Sequence, residues 1–354
     1  MKPLLERLLI CPECQRSFQI IPFYSNQLEI VDGLLICPCG KLYPIVNTIP
    51  RILSNALEKQ SGFRERYKKE IEEALRTSGL QLFLRDRPQE EVVTQKSFGY
   101  QWKAFSEIGN YFKENFLNYI YPIKPEFFAG KLGLDAGCGA GRHIYFAAEF
   151  GAQMVGIDFS EAIEAAYENN KDKKNVHFIQ ADILNLPFPK NSFDFVYSLG
   201  VLHHLPDPLQ GFQQLVSVTK KSIFIWVYSK RRKITNSLLE KVRRYTHKLP
   251  HNWLYRISYL VAMMEWAFFL QPYKKLSQIK SLKKIVDKIT FPRIKIYSKY
   301  PFQVSHTDWF DRLAAPIRFY YDEADLIEWS KVTGLKNVMV SPTGLYGWRM
   351  YGEK

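Results

Sequence analysis

Four of the five cysteines fall between residues 11 and 39. Cys11 and Cys14 enclose two residues, and Cys37 and Cys39 enclose one. Paired cysteines at this spacing, in a long chain with no secretion-type start, read as a metal site rather than a disulfide scaffold. Four thiolates suit a tetrahedral Zn²⁺ and leave no open coordination position, so such a metal would be structural. A ribbon this small buries little, and the ion would supply much of its folding energy. Cys138 is isolated and reads as a small packing residue.

A second group carries different chemistry. Leu134-Asp135-Ala136-Gly137-Cys138-Gly139-Ala140-Gly141-Arg142 follows an apolar run and opens a helical pattern. Glycines let a backbone pass close to a ligand through turns that a Cβ obstructs. Asp158 ends the next apolar run, where a carboxylate can accept both ribose hydroxyls of an adenosine ligand. Asp182 ends the third run and can accept from an adenine amino group. The Gly-x-Gly-x-Gly spacing departs from the dinucleotide form, which weakens the case for a pyrophosphate.

These residues need a sheet to bring them together. Short apolar runs (132–135, 154–158, 176–179, 193–197 and 223–227) alternate with helical stretches, which predicts an α/β fold with a parallel sheet. Ligands in such sheets bind at the carboxyl ends of the strands, where the strand order reverses. Residues 1–53 read as a zinc-ribbon-like domain and 54–128 as a helical N-terminal extension. Residues 129–228 and 320–354 read as one α/β domain, interrupted at 229–319 by a basic helical cap after the fifth strand.

The chain resembles the class I S-adenosylmethionine-dependent methyltransferases. The matching stretches are 134–142, Gly156-Ile-Asp-Phe-Ser160, Gln180 to Phe188, Phe193 to Ser198 and Val201-Leu-His-His-Leu-Pro-Asp-Pro208. The resemblance implies a Rossmann-like fold and S-adenosyl-L-methionine as cofactor. It places Asp135, Gly137, Gly139 and Gly141 at the amino-acid part of the cofactor, Asp158 at the ribose and Asp182 at the adenine end. Phe159, Ile183 and Ser198, within the same motifs, are further cofactor-binding candidates. Where the family has a Pro-Gly-Gly-like turn before the fifth strand, this chain has Thr219-Lys220-Lys221.

Asn-Pro-Pro-Tyr, used by the family on base amines, is missing after the fourth strand. Ser198-Leu-Gly-Val-Leu-His203-His204 stands there and resembles the small-molecule branch. His203 or His204 is a candidate general base; the plainer reading is packing at a helix start. Tyr100 and Trp102 offer aromatic faces that attract a sulfonium, or else they staple the N-terminal helices to the core. His306, Asp308, Asp311, Tyr320 and Tyr321 return the chain to the sheet and are candidates for an acceptor pocket. The cysteine block, with Tyr43-Pro-Ile-Val-Asn-Thr-Ile-Pro50, resembles the small zinc-binding activator subunit of tRNA and protein methyltransferases. Its second cysteine pair is one residue shorter than usual.

The charge is not evenly spread. The 354-residue chain carries +14, but residues 220–299 alone hold twenty Lys or Arg against three Asp or Glu. Aromatic residues are interleaved there. Three uses fit such a segment: a lid with solvated charges, a helix lying on an anionic membrane, or a phosphate-backbone grip on RNA. A hydrophobic share of 46% excludes general disorder. No run of eighteen apolar residues exists; the nearest, 257–270, is broken by Glu265. The expected protein is a cytoplasmic methyltransferase of a small-molecule or lipid-linked acceptor, with peripheral membrane contact through 229–300 left open. The alternatives are an RNA methyltransferase and a non-catalytic scaffold that recruits a partner.

Overall fold

A computed structural model describes residues 1–78, 89–105, 107–109 and 111–354. Part of the expected helical extension, residues 79–88, lies outside the described residues. The strands, in chain order, are β1 (Gln19–Ser25), β2 (Ile30–Ile36), β3 (Leu42–Val46), β4 (Ile49–Ile52), β5 (Leu132–Ala136), β6 (Gln153–Asp158), β7 (Val176–Ala181), β8 (Phe193–Leu199), β9 (Thr219–Tyr228), β10 (Lys336–Thr343) and β11 (Gly347–Glu353). They form one sheet in the order β1-β2-β3-β4-β7-β6-β5-β8-β9-β11-β10.

The centre, β7-β6-β5-β8-β9, is parallel, and β11 joins β9 antiparallel. Helices cover both faces of the parallel strands, so these read as nearly continuous apolar runs. All six residues of β7 are buried, as are four of five in β5. This is the Rossmann-like α/β sheet expected from the motif order. Strand order reverses between β5 and β8, which opens a crevice at the carboxyl ends of these strands.

The cysteine block is less separate than its spacing suggests. β1 to β4 form an antiparallel meander, and β4 then pairs parallel with β7, Arg51 opposite Gln180 and Ile52 opposite Ala181. Arg51 is only 2% exposed. Its guanidinium donates to Gln180 Oε1 at 3.2 Å and to Glu164 at 3.4 Å. On the other side of the block, Ile10 N–H donates to Pro187 O at 3.0 Å. The block therefore shares strand pairing and core with the main sheet.

Thr219-Lys220-Lys221, which stands where the family has a Pro-Gly-Gly-like turn, forms no turn. The helix Pro208–Val218 runs straight into β9, and buried Thr219 donates its Oγ1 to Leu215 O at 2.7 Å. After β9 come the helices Lys233–Thr246, His251–Glu265, Gln271–Leu276, Lys280–Ile289, Pro292–Tyr297 and Phe302–Ala314. The second and last of these pack around Leu254, Phe310 and Leu313, with Tyr100 of the helix Gln89–Ala104 and Phe105 just after it against them. Among the described residues no helix is long and apolar enough to cross a membrane.

Removing Arg51 leaves Gln180 short of a partner and a gap at the β4–β7 seam. Arg51→Ala is expected to cost about 2–4 kcal/mol in urea denaturation, with one transition that simply shifts. Early separate loss of the cysteine block would show that it folds by itself.

Candidate active site

At the end of β5 the chain must turn under the helix Arg142–Glu149. Gly137, Gly139 and Gly141 all take positive φ there, at 83°, 54° and 78°. A Cβ on Gly137 would sit 2.5 Å from Val201, so glycine is required by both conformation and space. Gly137 and Cys138 donate their N–H groups to Ile157 O at 2.8 and 2.9 Å. Gly139 N–H donates to Asp158 Oδ2 at 2.9 Å, and Ser160 donates twice to Oδ1. The loop is thus tied to the end of β6.

A cavity of about 410 Å³ opens beside this loop. Gly137, Gly139, Asp158, Phe159, Asp182, Ile183, Trp102 and His204 line it. Asp182 Oδ1 accepts from Leu184 N–H at 2.9 Å, which orients the carboxylate at the strand end. A Cβ on Gly139 would lie 3.1 Å from the Trp102 indole, so the indole closes over the glycine turn.

Five expected site residues do not line the cavity. Tyr100 turns away: its hydroxyl donates to Asn252 at 3.2 Å, and its ring stacks on His251 and Phe310. Asp135 is buried beneath the turn, with Oδ2 lacking a hydrogen-bond partner. Burial pushes its carboxyl up to about 8, against a lowering by the Tyr197 hydroxyl. Gly141 faces the helix Ala162–Asn170, where a Cβ would meet Asn170 and Ala166. Ser198 is buried and donates to Ala136 O at 2.8 Å, locking β8 to β5. His203 is 0% exposed, with neither ring nitrogen hydrogen-bonded and its centroid 3.9 Å from that of Tyr228.

His204 reaches the cavity, but its Nδ1 lies 2.7 Å from Ile317 O. That contact requires a proton on Nδ1 and leaves Nε2 as the acceptor nitrogen. Burial lowers its pKa to about 4, which makes it a weak base at neutral pH. Of the returning segment, Asp308, Asp311 and Tyr320 line the cavity. His306 instead contacts Tyr255 O and Ser258, and Tyr321 bridges to Ser229 beside the sheet.

Residue types alone missed two features. Arg142 lines the cavity with its guanidinium 4.3 Å over Trp102 and 4.2 Å over Phe112. No carboxylate pairs with it among the described residues, and burial lowers its pKa to about 10. Its place at the end of the glycine motif was the available signal. The second is a polar wall: Tyr228 donates to Asp311 at 2.8 Å, and Arg318 pairs with the same carboxylate. Tyr228 and Asp311 lie 83 positions apart along the chain, beyond the reach of motif spacing.

Residues 134–226 match the family described as a methyltransferase domain. The sterol 24-C-methyltransferase of Schizosaccharomyces pombe is 32% identical over 126 residues, 33% of this chain and 32% of that protein. A tRNA U34 carboxymethyltransferase of Vibrio cholerae is 37% identical over 107 residues, 29% of this chain and 31% of that protein. A demethylmenaquinone methyltransferase of Staphylococcus haemolyticus is 37% identical over 95 residues, 26% of this chain and 40% of that protein. The chain thus aligns with a third or so of the length of these curated relatives. Their names span a sterol, a tRNA and a quinone precursor, so the shared segment does not select an acceptor.

Burial holds four histidines uncharged. It lowers the pKa of His143 to about 3, of His177 and His204 to about 4, and that of His203 well below its ordinary value. An unfolded histidine titrates at about 6.5, so below that pH the unfolded chain binds protons the folded one refuses, and stability falls with falling pH. Asp135 works in the opposite sense: its raised carboxyl costs stability as pH climbs from about 4 to about 8. Urea denaturation across pH 4–8 is expected to show a stability maximum at about pH 6.5, steeper on the acid side. His203→Gln is expected to reduce the acid slope.

Proposed function

We propose that the chain is an S-adenosylmethionine-dependent methyltransferase acting on a small-molecule or lipid-linked acceptor. The observation that carries this is convergence: the glycine turn, Asp158 and Asp182 meet at one cavity within the matched domain. The residues present fit the cofactor. Asp158 would accept the ribose hydroxyls and Asp182 the adenine end. Arg142, a buried guanidinium without a carboxylate, would take the amino-acid carboxylate. Phe159 and Ile183 would pack against the adenosine. The Trp102 face would sit near the sulfonium. When bound, the cofactor supplies a methyl group on a good leaving group, so the chemistry needs alignment and exclusion of water.

In this reading the helices of 229–319 form an insertion that caps the cavity. Asp308, Asp311, Arg312, Arg318 and Tyr320 bring polar groups from it, or from its return to the sheet, to the acceptor end. Tyr228, Asp311 and Arg318 hold one another and fix that wall. His204 positions rather than deprotonates, since burial lowers its pKa to about 4 and leaves it a weak base at neutral pH. The protein would be cytoplasmic, with peripheral contact at a membrane through 229–300.

The four cysteine Sγ atoms lie within 4.8 Å of one another, with pairs at 3.2, 3.3 and 3.7 Å. A tetrahedral Zn²⁺ with Zn–S of about 2.3 Å sets sulfurs about 3.8 Å apart, so Cys11, Cys14, Cys37 and Cys39 fit the ion. We assign it a structural role, joining the turn before β1 to the turn between β2 and β3.

Calorimetry with S-adenosylhomocysteine is expected to show binding that Asp158→Ala weakens about tenfold to a hundredfold. Equal binding by the variant would refute the ribose assignment. Metal analysis is expected to find one zinc per chain and a loss in Cys11→Ser. Chelation should lower the thermal midpoint of the whole chain, because β4 belongs to the main sheet. With methyl-labelled cofactor and cell extracts, label is expected in lipid or small-molecule fractions; nuclease-sensitive label would put RNA first.

A further inference from the structure

A second cavity, of about 880 Å³, adjoins the first, and Arg232 and Tyr346 line both. Its walls are largely apolar, with Val261, Met264, Phe269, Phe291 and Ile294 among them. Both volumes lie in the roughly 300–1,000 Å³ range of small-ligand sites. Between the two cavities the charged groups are almost all matched. Glu265 pairs with Arg293, and Asp308 pairs with Arg293 and Arg312. Arg232, which lines both cavities, is not matched. Among the described residues it has no ion pair and no hydrogen bond, only the Tyr346 ring at 4.7 Å from its guanidinium carbon. Burial lowers its pKa, and the charges of Arg312 and Arg293 lower it further. A half-buried cation among other cations is a site for an anion.

The surroundings suit one source for that anion. Phe291 at the cavity wall is 76% exposed, and nearby Phe268 and Ile289 are 72% and 74% exposed. The helix Lys280–Ile289 turns Leu282, Ile285 and Ile289 to solvent together, with Lys280, Lys283, Lys284 and Lys288 on the same helix. Apolar side chains spaced three or four residues apart, flanked by lysines, fit the interface of an anionic bilayer. RNA would match the lysines and leave the aliphatic face uncovered.

We infer that the second cavity holds the hydrocarbon chain of an anionic amphiphile drawn from a bilayer, and that Arg232 receives its headgroup at the junction with the active-site cavity. This rests on the methyltransferase reading for its consequence, a lipid acceptor delivered head first. The binding site itself does not depend on methyl transfer.

Calorimetry on the full chain with dodecyl phosphate, dodecanol and inorganic phosphate, below micelle-forming concentrations, tests it. Dodecyl phosphate is expected to bind about tenfold or more tighter than dodecanol, and inorganic phosphate weakest. Arg232→Ala should abolish the preference while leaving dodecanol binding in place. Phe269→Ser, at the far wall, should weaken both chains by about tenfold. Pelleting should occur with phosphatidylglycerol vesicles and not with phosphatidylcholine vesicles. Equal binding of the two chains, a preference surviving Arg232→Ala, no binding of either chain, or no pelleting with anionic vesicles would each overturn the proposal. S-adenosylhomocysteine binding measured on the same protein reports separately on the methyltransferase reading. Its absence, with amphiphile binding intact, would remove that reading and keep the groove.

Discussion

The hydrogen bond from Gly139 N–H to Asp158 is the constraint on which the site depends. It joins the turn after one strand to the carboxylate at the end of the next. Together with the two N–H groups that reach Ile157 O, it sets the left-handed glycine turn at a fixed height above the sheet. The crevice at the reversal of strand order then has a rigid floor. Trp102 can close over that floor only because Gly139 has no side chain. A backbone that had to accommodate a Cβ here would displace either the indole or the strand end.

The cysteine block meets a different need. A parallel sheet leaves a bare edge on its outer strand, and bare edges invite pairing with other chains. β4 occupies the edge of β7, and Arg51 seals the seam from within. The antiparallel meander beyond it then carries the open edge outward to β1. The four thiols stand next to this extension, so what steadies them also steadies the sheet margin. At the other margin, β11 and β10 do the same service for β9 with two antiparallel strands.

Local pattern made the parallel strands and the glycine turn legible, because each is a short run with its own signature. The runs ending at Asp158 and Asp182 did place their carboxylates at the cavity. What pattern could not show was partnership over long separations. β4 is four residues whose strand partner lies about 129 positions later, and nothing in Ile49-Pro50-Arg51-Ile52 announces it. Ser198 and Asp135 carry the right residue types, yet burial behind the turn removes them from the cavity wall. Tyr100 and Trp102 stand two residues apart on one helix, so they point in different directions, one to the cap and one to the glycines. The pair His203-His204 divides similarly, one ring sunk against Tyr228 and the other at the cavity. At Thr219 the strand follows the helix without the family's turn, and the threonine hydroxyl satisfies the Leu215 carbonyl in the last helical turn.

The join between β4 and β7 also bears on the order of events during synthesis. The cysteine block leaves the ribosome before the parallel strands, and β4, paired with β3 on one side, keeps its other edge open until β7 follows some 129 residues later. At about 5–20 residues per second that interval is roughly 6–26 seconds. For that time Ile49 and Ile52, both buried in the finished fold, belong to an unfinished edge. The nascent chain thus carries a pre-formed half-sheet awaiting its complement, and the parallel strands complete it on arrival.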